Sequence, residues 1–160
     1  MRYKPKLERL EGGWSDDPSD PGGATMCGVT LGTYRSYYGH DKTKQDLRQI
    51  TDRQWTHIMR DYWDRCKADR IDKQSVAEIF VDWYINAGCN AIRNVQFRLG
   101  LKADGIVGEQ TLSALNATPA KDVFNLVKTA RIEYYNKIGK RLPKFLKGWL
   151  SRVEHFSFIS

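Results

Sequence analysis

Between residues 12 and 32 the chain places Gly12, Gly13, Gly22, Gly23, Gly28 and Gly32 together with Pro18 and Pro21, a density of breakers that no long helix survives. This stretch is expected to be a glycine-rich loop with a short β-hairpin, Ala24 to Leu31 being the extended part. Helical signals lie on both sides of it. Tyr3, Leu7 and Leu10 recur at helical spacing, and Gly12-Gly13 supplies the residue that commonly ends a helix in left-handed geometry, so Glu11 falls in the last turn. Downstream, Thr51 with Gln54 and Ser75 with Glu78 match capping boxes ahead of the apolar-periodic runs Trp55-Ile58-Met59-Tyr62-Trp63 and Ile79-Phe80-Trp83-Tyr84. Thr118-Pro119 reads as the N-cap and first-turn proline of a helix carrying Val123, Phe124, Val127, Ala130 and Tyr134. A last helix follows Pro143. The expected fold is mainly α (α+β), a helical bundle with a small N-terminal β-hairpin lobe and no solenoid repeats.

At 160 residues, 41% apolar and 28% charged, the chain is long enough to bury its own core as one domain, without disulfides or metals as staples. Cys27, Cys66 and Cys89 are odd in number and lack paired short spacing, so they are expected as reduced thiols. The start, Met1-Arg2-Tyr3-Lys4-Pro5-Lys6, lacks the apolar segment of a secretory signal, and nothing later is apolar enough to span a bilayer. Synthesis in a cytoplasm without a signal peptide is the expectation. A formal charge of +7 favours a polyanionic partner, whether nucleic acid, an anionic membrane surface or an anionic cell wall.

The chemistry-bearing stretch is Leu10-Glu11-Gly12-Gly13-Trp14 and the acidic, glycine-rich loop after it. The carbonyl end of a helix carries partial negative charge, and Trp14 beside it adds desolvation; both make a carboxylate at Glu11 harder to ionise. A glycosidase needs such an acid, still protonated near neutral pH, to donate to the leaving oxygen, and a second group that stabilises the oxocarbenium-like state or activates water. Asp20 is the best second group. Thr25 and Thr30 share the hairpin, where their hydroxyls can orient water or a sugar. Paired glycines in this number suit a loop that brings backbone close to a ligand better than they suit a plain solvated turn.

These residues carry a resemblance. Glu11-Gly12-Gly13-Trp14 followed by Asp17-Pro18-x-Asp20-x-Gly22-Gly23-x-Thr25-x-x-Gly28-Val29-Thr30 resembles the opening of the glycoside hydrolase family 108 muramidases, common as phage endolysins. The likeness continues through Arg60-Asp61-Tyr62-Trp63-Asp64 and Phe80-Val81-Asp82-Trp83-Tyr84-Ile85-Asn86-Ala87-Gly88 to Phe145-Leu146-Lys147-Gly148-Trp149. Trp83-Tyr84 departs from it, smaller residues being usual there. The resemblance implies a lysozyme-like domain over residues 1–160 that cleaves the β-1,4 bond between N-acetylmuramic acid and N-acetylglucosamine, with Glu11 as general acid. The similar Glu, Asp, Thr order of phage lysozymes implies Asp20 and Thr25 as its catalytic partners, although their gap from Asp to Thr is one residue longer. Val95-Gln96-Phe97-Arg98-Leu99-Gly100 and Asp104-Gly105-Ile106-Val107-Gly108-x-x-Thr111-Leu112-x-x-Leu115 look like a peptidoglycan-binding repeat, embedded as a helical segment over 88–117; two packed helices joined by a glycine-rich turn read equally well.

Most of the five tryptophans and eight tyrosines are expected in or at the edge of the core, with Trp14 and Tyr62 the candidates for stacking on sugar. Asn86, polar in an apolar helix, either caps that helix or binds an N-acetyl group, and the resemblance favours the latter. The partner expected is the peptidoglycan glycan strand, met by a monomer in the periplasm or cell wall after release. Stable membrane insertion, nucleic acid, metal and cofactor are not expected: no helix joins a basic stripe to base-reading spacing, and His40, His57 and His155 show no ligand spacing. The competing readings are a lytic transglycosylase acting on the same bond, a cysteine amidase built on Cys27 with His40 or His57, and a non-catalytic wall-binding module.

Overall fold

The computed structural model describes residues 13–18 and 23–159. The helix expected over residues 3–11, Glu11 with it, and Asp20 lie outside the described residues. The chain divides into two compact units, Met1–Asp61 and Tyr62–Ser160.

In the first unit, β1 (Trp14–Ser15), β2 (Thr25–Met26) and β3 (Val29–Thr30) form an antiparallel sheet in the order β1-β2-β3. The hairpin expected within Ala24 to Leu31 is thus present, and β1 is a third strand that local pattern did not announce. Met26 pairs with Val29 across a two-residue turn whose central residues, Cys27 and Gly28, sit at φ +49° and +82°. Two positive φ values are what a type I′ hairpin turn requires. The Cys27 N–H donates to the Gly13 carbonyl at 3.3 Å, and the Cys27 carbonyl accepts from Trp55 Nε1 at 2.9 Å.

Three helices follow: α1 (Leu31–Tyr38), α2 (Lys44–Arg48) and α3 (Asp52–Arg65), the last beginning in the first unit and ending in the second. The Thr51–Gln54 capping box is made in both directions, each bond 3.1 Å. Ala24, Val29, Tyr34, Leu47, Trp55, Ile58 and Met59 are the buried apolar residues among those described in this unit.

The second unit is helical: a 3-10 turn at Ala68–Arg70, then α4 (Gln74–Ala87), α5 (Cys89–Arg98), α6 (Glu109–Ala117), α7 (Ala120–Gly139) and α8 (Pro143–Glu154). Helix α4 packs on α5 and α7, and α7 also packs on α5, α6 and α8. Trp83 is fully buried and meets Tyr134 edge-on at 5.9 Å. Pro143 opens α8 as the sequence pattern implies.

Two helix starts differ from expectation. Helix α4 begins one residue before Ser75 and has no side-chain cap. Ser75 is buried inside it, its hydroxyl accepting from the Ile159 N–H at 2.9 Å and facing the Ile159 carbonyl at 3.3 Å. A tertiary partner 84 positions away has taken the hydroxyl from the capping box. Helix α7 is preceded by Pro119 as its N-cap, while the Thr118 hydroxyl donates backwards to the Ala114 carbonyl at 2.8 Å. That threonine closes α6 instead of opening α7.

The motif that looks like a peptidoglycan-binding repeat has a structural account. Buried Gln96 shares the two hydrogens of Nε2 among Asp104 Oδ1, the Ile106 carbonyl and Thr111 Oγ1, at 2.9, 2.9 and 3.1 Å, and its Oε1 accepts from the Gly105 N–H at 3.0 Å. Gly105 holds φ +77°, and a Cβ there would stand 3.1 Å from Arg93 Nε. One side chain thus pins the loop between α5 and α6. Gln96→Leu keeps the volume and strands those partners, so it is expected to lower unfolding stability by about 2–3 kcal/mol. An unchanged urea midpoint would refute this account of the motif.

Candidate active site

The site expected from sequence begins in the small sheet. Directly paired residues of neighbouring antiparallel strands point to the same face. Ser15 pairs with Thr25 and Thr25 with Thr30, so three hydroxyl-bearing residues form a row across one face. Trp14 pairs with Met26 and Met26 with Val29, so an apolar row covers the other, with Val29 only 1% exposed. The alternation along each strand makes one face suited to hydrogen bonding and the other to packing.

Thr25 is half-buried at the centre of the polar row. Thr30 is committed elsewhere: its hydroxyl accepts from the Thr33 N–H at 3.1 Å as the N-cap of α1 and bonds Thr33 Oγ1 at 3.0 Å. Ser15, exposed at the edge of the row, is a hydroxyl that sequence reasoning passed over, because its inclusion depends on β1. Trp14 lies on the opposite face from Thr25, with the Arg48 guanidinium 5.4 Å from its ring centre. Glu11 precedes β1 in sequence and Asp20 falls between β1 and β2, and both lie outside the described residues.

The other two expected residues belong to the second unit. Tyr62 is half-buried, meets Tyr84 edge-on at 5.8 Å, and has Arg65 at 5.5 Å from its ring. Burial raises the Tyr84 phenol above its usual pKa, an effect only partly offset by Arg65. Asn86 is exposed near the end of α4, and its Oδ1 accepts from the Tyr135 hydroxyl at 2.7 Å. It does not cap α4; Gly88 holds that position, at φ +64°.

Behind Asn86 runs a polar network in the core. The Arg131 Nη2 donates to the Tyr135 oxygen at 2.9 Å, and its Nη1 lies 3.0 Å from Asp82 Oδ2. Arg152 donates to Asp82 through Nε at 2.9 Å and Nη2 at 2.5 Å. Asp82 and Arg131 are completely buried. Burial opposes the Arg131 charge, but Asp82 and Tyr135 outweigh it and hold the guanidinium's pKa above its ordinary value. Asp82 sits among apolar neighbours on α4, and its partners come from α7 and α8.

The three cysteines, Cys27, Cys66 and Cys89, are free thiols in the described residues. Cys66 is buried, and burial pushes its thiol up far beyond the usual range. Cys27 occupies the hairpin turn, while His57 lies edge-on to Tyr37 at 5.6 Å. Among the described residues no group of three or more His, Cys, Asp or Glu side chains is placed to hold a metal ion, and no helix is long and apolar enough to cross a membrane.

Helices carrying most of the chain beside one small antiparallel sheet make this a mainly-α, lysozyme-like fold. Residues 5–88 match the family model "Glycosyl hydrolase 108", and residues 90–154 match one described as "Predicted Peptidoglycan domain". The chain is therefore a glycoside hydrolase acting on peptidoglycan. It belongs to glycosyl hydrolase family 108. Among solved structures it is similar to SagA of Brucella abortus, at 29% identity and a TM-score of 0.80, over 99% of this chain and 95% of that one. No curated protein matches.

Proposed function

We propose that the chain is an N-acetylmuramidase that cleaves the β-1,4 bond between N-acetylmuramic acid and N-acetylglucosamine. The observation that carries this reading is the family match, which spans Glu11, Asp20 and the hydroxyl row of Thr25 in one continuous segment. In this proposal Glu11 protonates the glycosidic oxygen as the C1–O bond breaks. The positive charge developing at C1 is stabilised by the Asp20 carboxylate, and Thr25 holds the water that completes hydrolysis or the sugar that awaits it. Trp14, Thr30, Tyr62 and Asn86 are the proposed substrate contacts, Thr30 acting through backbone or hydroxyl beside its capping bond.

The net charge of +7 complements an anionic wall and draws the protein to it at low salt. The setting we propose is that of a phage endolysin, made in a cytoplasm and acting as a monomer on the wall after release. The test is product analysis on purified peptidoglycan. New reducing ends at N-acetylmuramic acid are expected. Anhydro-muramic termini would replace the proposal with a lytic transglycosylase, and free stem peptides with an amidase.

A further inference from the structure

The turn that joins β2 to β3 is held in a conformation its own residues do not favour. Its first central residue, Cys27, stands at φ +49°, a left-handed position that glycine, asparagine and aspartate adopt readily and other side chains do not. Cys27 has neither the freedom of glycine nor an amide side chain to bond its own backbone. Both polar groups of its main chain are instead engaged by neighbours. The N–H donates to the Gly13 carbonyl at 3.3 Å, which carries the β1–β2 pairing one step beyond Trp14 and Met26. The carbonyl accepts from Trp55 Nε1 at 2.9 Å.

Trp55 delivers that bond from a fixed point. Its side chain is buried, and its own N–H donates to the Thr51 carbonyl at 2.9 Å in the first turn of α3. Gln54 beside it is gripped from α1: the Tyr34 hydroxyl donates to its Oε1 at 3.4 Å and the Tyr38 hydroxyl to its carbonyl at 3.2 Å. A donor on a packed helix places its partner more closely than one carried on a loop.

This anchor sets register. Side chains alternate between the faces of a strand, so a slip of one residue would carry Thr25 from the hydroxyl row to the face of Trp14, Met26 and Val29. A bond to the Cys27 carbonyl defines which residues form the turn. The Cys27 N–H passes the same setting to Gly13, which follows Glu11 by two positions in the sequence. We infer that Trp55 is a positioning residue for the reaction: acting through the main chain of Cys27, it holds Thr25 on the polar face of the sheet. The inference rests on the muramidase reading above, in which Thr25 holds water or sugar, and adds a residue that acts on the chemistry through the hairpin.

The test replaces Trp55 by phenylalanine and, separately, by benzothienylalanine, which keeps the bicyclic shape of indole and carries sulfur in place of the N–H. Release of reducing ends from solubilised glycan strands is expressed per folded molecule, the folded fraction being read by circular dichroism. Both replacements are expected to lower kcat about tenfold, as a small misplacement of a reacting group does, and to leave KM within about twofold. On a Thr25→Val background the same replacements are expected to cost less than about twofold, because no hydroxyl is left to misplace. A structural role alone would lower the folded fraction and cost the same factor on both backgrounds. An unchanged kcat in the benzothienylalanine protein, or equal losses with and without the Thr25 hydroxyl, would overturn the positioning role and leave the muramidase reading standing. Thr25→Val at the wild-type rate would instead remove Thr25 from the proposed site, and this inference with it.

Discussion

Glu11→Gln is expected to cut the release of reducing ends from peptidoglycan by about 10²–10⁴-fold, the range a positioned general acid contributes. Glutamine matches the size of glutamate and offers hydrogen bonds, yet has no proton to give to the leaving oxygen. A stable chain that still sediments with the wall would show that binding has survived while chemistry has not. The defect should depend on the leaving group. A substrate whose leaving group departs readily as an anion needs little protonation, so an aryl glycoside should lose far less rate than the natural sugar–sugar bond. The variant should also lose the alkaline limb of the pH profile, which in the wild type reports deprotonation of the acid. Equal release by Glu11→Gln on peptidoglycan would remove Glu11 from that role and leave Asp20 as the carboxylate to test next.

The largest effect on stability is expected at Asp82. It is the counter-charge to Arg131, and both are excluded from solvent. Removing one partner of a buried ion pair costs about 3–5 kcal/mol, because the remaining charge is left in a medium that cannot solvate it. Asp82→Ala should therefore lower the melting temperature by about 6–20 °C, at about 2–4 °C per kcal/mol for a chain of this size. Arg152, which is 16% exposed, can turn towards water, so Arg152→Met should cost less. Asp82→Leu combined with Arg131→Met should recover part of the loss, since an apolar pair avoids desolvation altogether. A melting temperature within a degree of wild type for Asp82→Ala would show that the triad contributes little.

Features carried by nearby residues were the legible ones. The Thr51–Gln54 box needs only its own turn of helix, and the hairpin needs only the local turn around Gly28. Ser75 presents the same pattern as Thr51, but its hydroxyl is claimed by the backbone of Ile159, which no local window contains. Strand β1 has two residues and exists through pairing with β2, so propensity alone does not reveal it. The charged triad is half legible: Asp82 stands out in an apolar run, whereas Arg131 and Arg152 are two among many basic residues until helix packing selects them. In the candidate site, the pairing register groups Thr25 with Thr30 and Ser15 and turns Trp14 to the opposite face. Spacing along the chain contains no such information. Glu11 and Asp20 rest on the motif and on family membership.

The bond from the Trp55 indole to the Cys27 carbonyl bears on the order in which the protein gains and loses structure. Strands of two residues are too short to hold together in water by themselves. The turn they flank is tied to a helix that begins only at Asp52, so the hairpin becomes persistent after that helix has docked. In hydrogen exchange its amides would behave as dependents of α3, opening when the indole lets go and long before the helical core of the second unit yields.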